Sequence, residues 1–174
     1  KRGMALRFDE NTKLSIPWKR DLDPGVGSVF VEALVKPEQG GVIAAQGDEH
    51  RGFMLYVENG KPGIMTMNNG DRLVFVDEQE RSYAGKWVHI VGQIRNYENR
   101  LRLWVNGELV GDEFLMWPTG SFHAGNGGVT IGCDPTGKID PEEISPLPFK
   151  GEIEYFRMYR QEDGSAIVKT GSAR

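Results

Sequence analysis

Residues 101–105 read Leu, Arg, Leu, Trp, Val, so apolar side chains alternate with polar or amphipathic ones. A period of two is the pattern of a strand with one buried face. It commits Leu101, Leu103 and Val105 to a core and turns Arg102 and Trp104 to the opposite side of the same sheet. Upstream, residues 87–94 are rich in β-branched and aromatic side chains, which favour a pleated, half-buried surface. The polar segment 95–100, with two asparagines, suits the loop between the two strands. Asn106-Gly107 follows directly and supplies the two positive φ angles of a tight hairpin turn, sending the chain back through 108–110. An antiparallel meander is expected over 87–110.

The same patterns recur along most of the chain. Val29, Val31, Ala33 and Val35 lie on one face of a long strand over 28–36, followed by a turn at 37–41 and a short apolar strand at 42–46. Asn59-Gly60 joins strands at 53–58 and 61–67, and Asn68-Asn69-Gly70 turns into a strand at 72–76. Further strands are expected at 4–8, 13–16, 129–133 and 149–159, the last of them long. Segments 18–27, 47–51, 77–85, 112–128 and 134–148 are polar or rich in Gly and Pro and read as loops. About a dozen short strands with frequent turns point to a two-sheet sandwich or barrel. The closing strand needs a partner, and the N-terminal strand is the natural one. Nothing divides the chain, so 1–174 is taken as one domain with its core over about 4–160 and a tail at 161–174.

Composition narrows the classes. Among 174 residues there are 23 Gly and 9 Pro, in keeping with many turns. The formal net charge is −4 and the basic residues are scattered, which argues against a nucleic-acid surface. No apolar run approaches the length of about 18 residues that spans a membrane as a helix. A single cysteine, Cys133, rules out an internal disulfide and any paired-cysteine motif. The chain opens at Lys1 without a Met and reads as an excerpt of a longer protein.

The segments ALRFDENTKLSIP, VFVEALVKP, GFMLYVENGKPG, GKWVHIVGQI, LRLWVNGELVG, VTIGC and FKGEIEYFRMYRQ occur in an order that resembles the laminin-G-like domains of the concanavalin A-like lectin/glucanase superfamily. The resemblance covers nearly the whole chain, from Met4 to Tyr159. It implies an all-β fold, a jelly-roll sandwich of two antiparallel sheets, one of them concave. It implies less about function, because this architecture serves lectins, enzymes and structural modules.

Catalysis finds little support in the residues. Retaining glycosidases need two carboxyl groups about 5 Å apart. The Glu-x-Asp-x-x-Glu strand that supplies them in glucanases of this fold is absent. Glu152 and Glu154 alternate correctly, but Glu154 aligns with a structural position of the closing strand. The lyases of this fold use a Gln-Ile-His triplet, for which Gln93-Ile94-Arg95 lacks the histidine. His50, His89 and His123 show no ligand spacing.

Binding is better supported. Sugars present apolar faces ringed by hydroxyls, so a lectin site combines an aromatic platform with a few fixed polar groups. The candidate ligand-binding residues are Trp104 and Arg102 on the outward face, with Trp117 and Trp18 beside prolines in loops. Each tryptophan can equally be a structural anchor covered by a loop. The resemblance further implies a structural calcium ion, Ca2+, with Glu154 in place of the family's closing-strand Asp. Asp9 would lie near the first strand and Gly40-Gly41 would form the turn. The other reading of Glu154 is an ion pair with Arg7 or Arg157. The expected function is a non-catalytic carbohydrate-binding or adhesion module of a larger exported protein, placed extracellularly, at the cell surface or in the periplasm. Its partner would be a polysaccharide or glycan. The alternative is a structural or protein-interaction domain packed against a neighbouring catalytic domain of the same chain.

Overall fold

The computed structural model describes residues 4–48, 50–69, 71–76, 81–115, 124, 127–134 and 147–160. Among these residues eleven strands follow in chain order: β1 (Leu6–Phe8), β2 (Leu14–Ile16), β3 (Ser28–Gly47), β4 (Arg51–Glu58), β5 (Lys61–Asn68), β6 (Asp71–Val76), β7 (Val88–Arg95), β8 (Arg100–Val105), β9 (Glu108–Phe114), β10 (Val129–Ile131) and β11 (Lys150–Arg160). Helical structure among the described residues is confined to three single 3₁₀ turns, at Arg20–Leu22, Pro24–Val26 and Asn96–Glu98.

The strands form two antiparallel sheets that share β3. The first has the order β1-β11-β3-β7-β8-β9, and the second β2-β10-β3-β4-β5-β6. The turn expected at 37–41 is instead a bend inside one 20-residue strand. Residues 28–36 pair with β7 and β11 in the first sheet, while 41–47 pair with β4 and β10 in the second. Gly40 and Gly41 have φ of 115° and 112°, which other residues adopt only with strain. A Cβ on Gly40 would lie 2.4 Å from the Val57 carbonyl oxygen, so the bend is closed to side chains.

The expected turns and pairings around this strand are present. Asn59 and Gly60 have φ of 50° and 78°, and Asn106 and Gly107 have 50° and 83°. β1 pairs with β11, Leu6 opposite Ile153, so the first and last strands are neighbours. The turn after β1 does not close a hairpin, however. β1 lies at the edge of one sheet and β2 at the edge of the other, so residues 9–13 cross the side of the sandwich.

The core lies between the sheets. Val29, Val31, Ala33 and Val35 of β3 and Leu101 and Leu103 of β8 are fully buried there, with Val105 at 2 % exposure. They meet Ile43, Phe53, Leu55 and Ile64 of the second sheet. The far side of the second sheet carries a separate buried cluster, Val42, Ala45, Met54, Tyr56, Met65 and Met67. Leu103→Ala should cost about 2–5 kcal/mol, the range for truncating a buried leucine. Urea denaturation followed by tryptophan fluorescence would measure it, and a shift under 1 kcal/mol would mean that the site is not packed.

Candidate functional site

The outward face of the first sheet is built by alternation on five strands. On β3 it presents Phe30, Glu32, Leu34 and Lys36, on β7 His89, Val91, Gln93 and Arg95, and on β8 Arg100, Arg102 and Trp104. β9 adds Asp112 and Phe114. On β11 the pairing slips between Ile153 and Tyr155, so Glu154 is the extra residue of a bulge. Ile153 still faces the core, and Tyr155, Arg157 and Tyr159 then follow Glu152 onto the outward face. Simple alternation would have sent Glu154 outward and Tyr155 inward.

An aromatic row crosses this face. Phe30 stacks on Tyr159 at 5.2 Å between ring centroids and 10° between planes. Trp104 lies 6.5 Å from Phe30 at 34°. Phe30 is buried, while Trp104 and Tyr159 are half-buried and form the row's outer ends. Trp104 is therefore neither a free platform nor a core residue. One side of the indole packs on the sheet.

Beside the row is a polar cluster centred on Glu32. Its Oε1 accepts from the Tyr155 hydroxyl at 2.9 Å and lies 3.0 Å from His89 Nε2. A carboxylate can only accept, so Nε2 of His89 carries the proton. Arg157 lies over the Tyr155 ring, 4.5 Å from its centroid. Burial works against the Glu32 charge, but hydrogen bonds from His89 and Tyr155 outweigh it and hold the carboxyl below its usual range. Burial and the bond to Glu32 push the Tyr155 hydroxyl well above the usual phenol value. Burial and the Glu32 charge push Tyr159 up to about 12.

Arg102 lies one strand pair further on. Its Nε is 3.1 Å from Asp112 Oδ1, an ion pair without the alignment of a hydrogen bond. Its Nη1 reaches Gln93 Oε1 at 3.5 Å. The expected juxtaposition of Arg102 and Trp104 on one face is thus present. Trp18 is 39 % exposed in the segment that follows β2, the edge strand of the second sheet. Trp117 lies outside the described residues. Glu32, Phe30, Tyr155 and Tyr159 were not singled out from the sequence. The signal for them in the sequence is the polar or aromatic face of 28–36, opposite Val29, Val31, Ala33 and Val35.

The two residues expected at a calcium ion are not brought together. In the β1–β11 register Phe8 faces Gly151 and Leu6 faces Ile153. Asp9 therefore lies toward Lys150, and Glu154 at the other end of the paired stretch, roughly 10–13 Å away along the strand. Asp9 is occupied locally, accepting from Asn11 N at 3.0 Å and Thr12 Oγ1 at 2.7 Å. Arg7 pairs with Glu38 at 2.9 Å, and Arg157 with the Tyr155 ring. Among the described residues no group of three or more His, Cys, Asp or Glu gathers at metal-binding distance. Gly40 and Gly41 instead form a wall of a cleft of about 300 Å³ with Glu10, Tyr56, Glu58 and Lys150, away from Glu154.

Two antiparallel sheets joined through one shared, bent strand make a jelly-roll sandwich of the concanavalin A-like kind. Residues 12–164 match the family model for laminin-G-type domains of the concanavalin A-like lectin/glucanases superfamily, and the chain belongs to that family. No curated protein sequence matches it. Among solved structures it is similar to domains LG4-5 of the mouse laminin α1 chain, with 14 % identity and a TM-score of 0.70 over 90 % of this chain. It spans 42 % of that laminin fragment. The CBM40 module of the Ruminococcus gnavus IT-sialidase superposes with a TM-score of 0.65 and 16 % identity, covering 91 % of this chain and 92 % of the module. Domain 4 of AbnA, a GH43 extracellular arabinanase from Geobacillus stearothermophilus, gives 0.60 and 19 %, covering 90 % of this chain and 70 % of that one. At these identities the likeness is one of fold.

The Glu32 cluster makes stability depend on pH at both ends. The folded-state pKa of Glu32 lies below the ordinary glutamate value of 4.5. Its contribution is complete above that value and is lost as pH falls through the folded pKa. Glu32→Gln should lower stability by about 1–3 kcal/mol at pH 7, with the gap closing as pH falls through the folded-state pKa. At the alkaline end the folded chain keeps the Tyr155 and Tyr159 protons that the unfolded chain releases near pH 10, so stability falls as pH rises above about 10. Ultraviolet titration should show both phenols ionising earlier in Glu32→Gln. Unchanged phenol titration would mean that the cluster is not formed.

Proposed function

We propose that this domain is a non-catalytic carbohydrate-binding or adhesion module of a larger exported protein, and that the outward face of the first sheet is its ligand face. The observation that carries the reading is the row Trp104–Phe30–Tyr159 beside the hydrogen-bonding groups of Glu32, His89, Tyr155 and Arg102. Half-buried rings keep their position without a ligand, so stacking a sugar on them costs little ordering. The fixed polar groups then supply direction for its hydroxyls. The solved complexes of similar modules point the same way. One CBM40 structure contains α2,3-sialyllactose, and the AbnA domain contains arabinotriose and belongs to an enzyme described as extracellular.

The same face argues against turnover. Directly across from Glu32 on the neighbouring strands stand Arg157 and Val91, so the adjacent positions hold no second carboxylate. Tyr155 holds its proton too firmly to act as a base at neutral pH. The alternative, a structural or protein-interaction domain packed against a neighbouring catalytic domain, is favoured by a different observation. The far face of the second sheet is apolar and already buried, which removes it as an open glycan groove.

A glycan array followed by calorimetry tests the reading. Trp104→Ala should weaken binding of the glycan found by about 1–3 kcal/mol, the size of a hot-spot loss, with the fold retained in far-ultraviolet dichroism. Full affinity in that variant would remove Trp104 from the site. A collapse of the melting temperature instead would make Trp104 structural, as the alternative expects. No oligosaccharide should be cleaved.

A further inference from the structure

We propose that the end of this face nearest the β7–β8 turn is a subsite for an acidic group on the glycan, a carboxylate or a sulfate ester; the inference rests on the glycan reading above. Three guanidinium groups meet there. Arg95 of β7 stands directly across from Arg100 of β8, and Arg102 is the next outward residue along β8. Two carboxylates face them. Asp112 Oδ1 is shared between Arg100 Nη1 at 2.6 Å and Arg102 Nε at 3.1 Å. Glu98 takes Arg95 in the turn itself. Three positive charges against two negative ones leave an excess of one in a chain whose net charge is −4, so the cationic character is local.

These arginines are held rather than free. Their side chains are 24–28 % exposed, and among the described residues the Arg95 Nε has no hydrogen-bond partner. Arg100 is fixed from below by the Phe114 ring, 4.2 Å from its centroid. Burial, and then the charges of Arg102 and Arg100, hold the Arg95 pKa below its usual value, a crowding that an anion between the three would relieve. The guanidinium fork matches carboxylate and sulfate oxygens in geometry as well as charge, which a lysine patch would not. Two exposed rings flank the group, Phe114 on β9 and Tyr97 in the turn, each 61 % exposed. The whole lies one or two strand positions from Trp104, close enough for one oligosaccharide to touch both.

Calorimetry with matched probes at a fixed salt concentration tests this: dextran sulfate oligosaccharide, oligogalacturonate, neutral dextran of equal length, and poly-L-glutamate. At least one of the two acidic sugars should bind about tenfold or more tighter than dextran, and Arg95→Gln or Arg100→Gln should each remove about tenfold, as expected for loss of a charge-assisted hydrogen bond. Arg100→Lys keeps the charge and loses the fork, so an intermediate loss supports the geometry while guarding against misfolding of the glutamine variants. Which acidic sugar responds tells sulfate from carboxylate. Neutral glycan bound through Trp104 with all three arginine variants silent would overturn this inference and leave the glycan reading standing. Binding of none of these sugars, with an empty glycan array, would overturn both. Poly-L-glutamate bound as tightly as the acidic sugars would also overturn it, reducing the subsite to plain charge attraction.

Discussion

The structure depends on one strand that belongs to both sheets. β3 pairs along its first half with β7 and β11 and along its second half with β4 and β10. It can do so only because Gly40 and Gly41 take a backbone conformation that a side chain would both strain and obstruct. Once β3 is bent, its inward residues on either side of the bend face each other, and Val29 to Val35 meet Ile43 and the inward faces of β4, β5, β7 and β8. The two sheets are therefore positioned by a covalent connection at their centres as well as by the apolar area between them.

The candidate site follows from the same arrangement. With one face of the first sheet committed to the core, period-two geometry delivers every second residue of five strands to the other face. The bulge at Glu154 changes the phase of β11 at the position that counts. Without it Tyr155, Arg157 and Tyr159 would point inward, and Glu32 would lose the hydrogen bond from Tyr155. Because Glu32 is enclosed by donors, its charge is a fixed part of the face. Arg102 and Asp112 are held in the same way, which separates this surface from an ordinary solvated strand face.

Much of the architecture was legible in the sequence because its causes are local. Alternation at 28–36 and 101–105, and the Asn-Gly pairs at 59–60 and 106–107, specify strands, buried faces and turn types within a few residues of where they act. The same local rule placed Arg102 and Trp104 side by side, and adjacency of the first and last strands followed from the need of each for a partner. By contrast, no nearby residue announces that 37–41 continues a strand rather than ending it. That outcome depends on β10 and β11 arriving as partners from distant parts of the chain. The separation of Asp9 from Glu154 has a related cause, since register between the two ends of the chain is settled by the whole of β11 against β1 and β3.

Local order along the chain is enough to specify the alternation within each strand, the turns between neighbours, and hence a β-sandwich with Leu101, Leu103 and Val105 inside. Which outward residues meet is set by the order of the strands in space. His89 and Tyr155 are 57 and 123 positions from Glu32 in the chain, and they touch it because β7 and β11 flank β3 in the sheet. The aromatic row and the arginine group are likewise products of strand order and of one bulge. Both are long-range properties, because hydrogen bonding between strands is indifferent to how far apart their residues lie in the sequence.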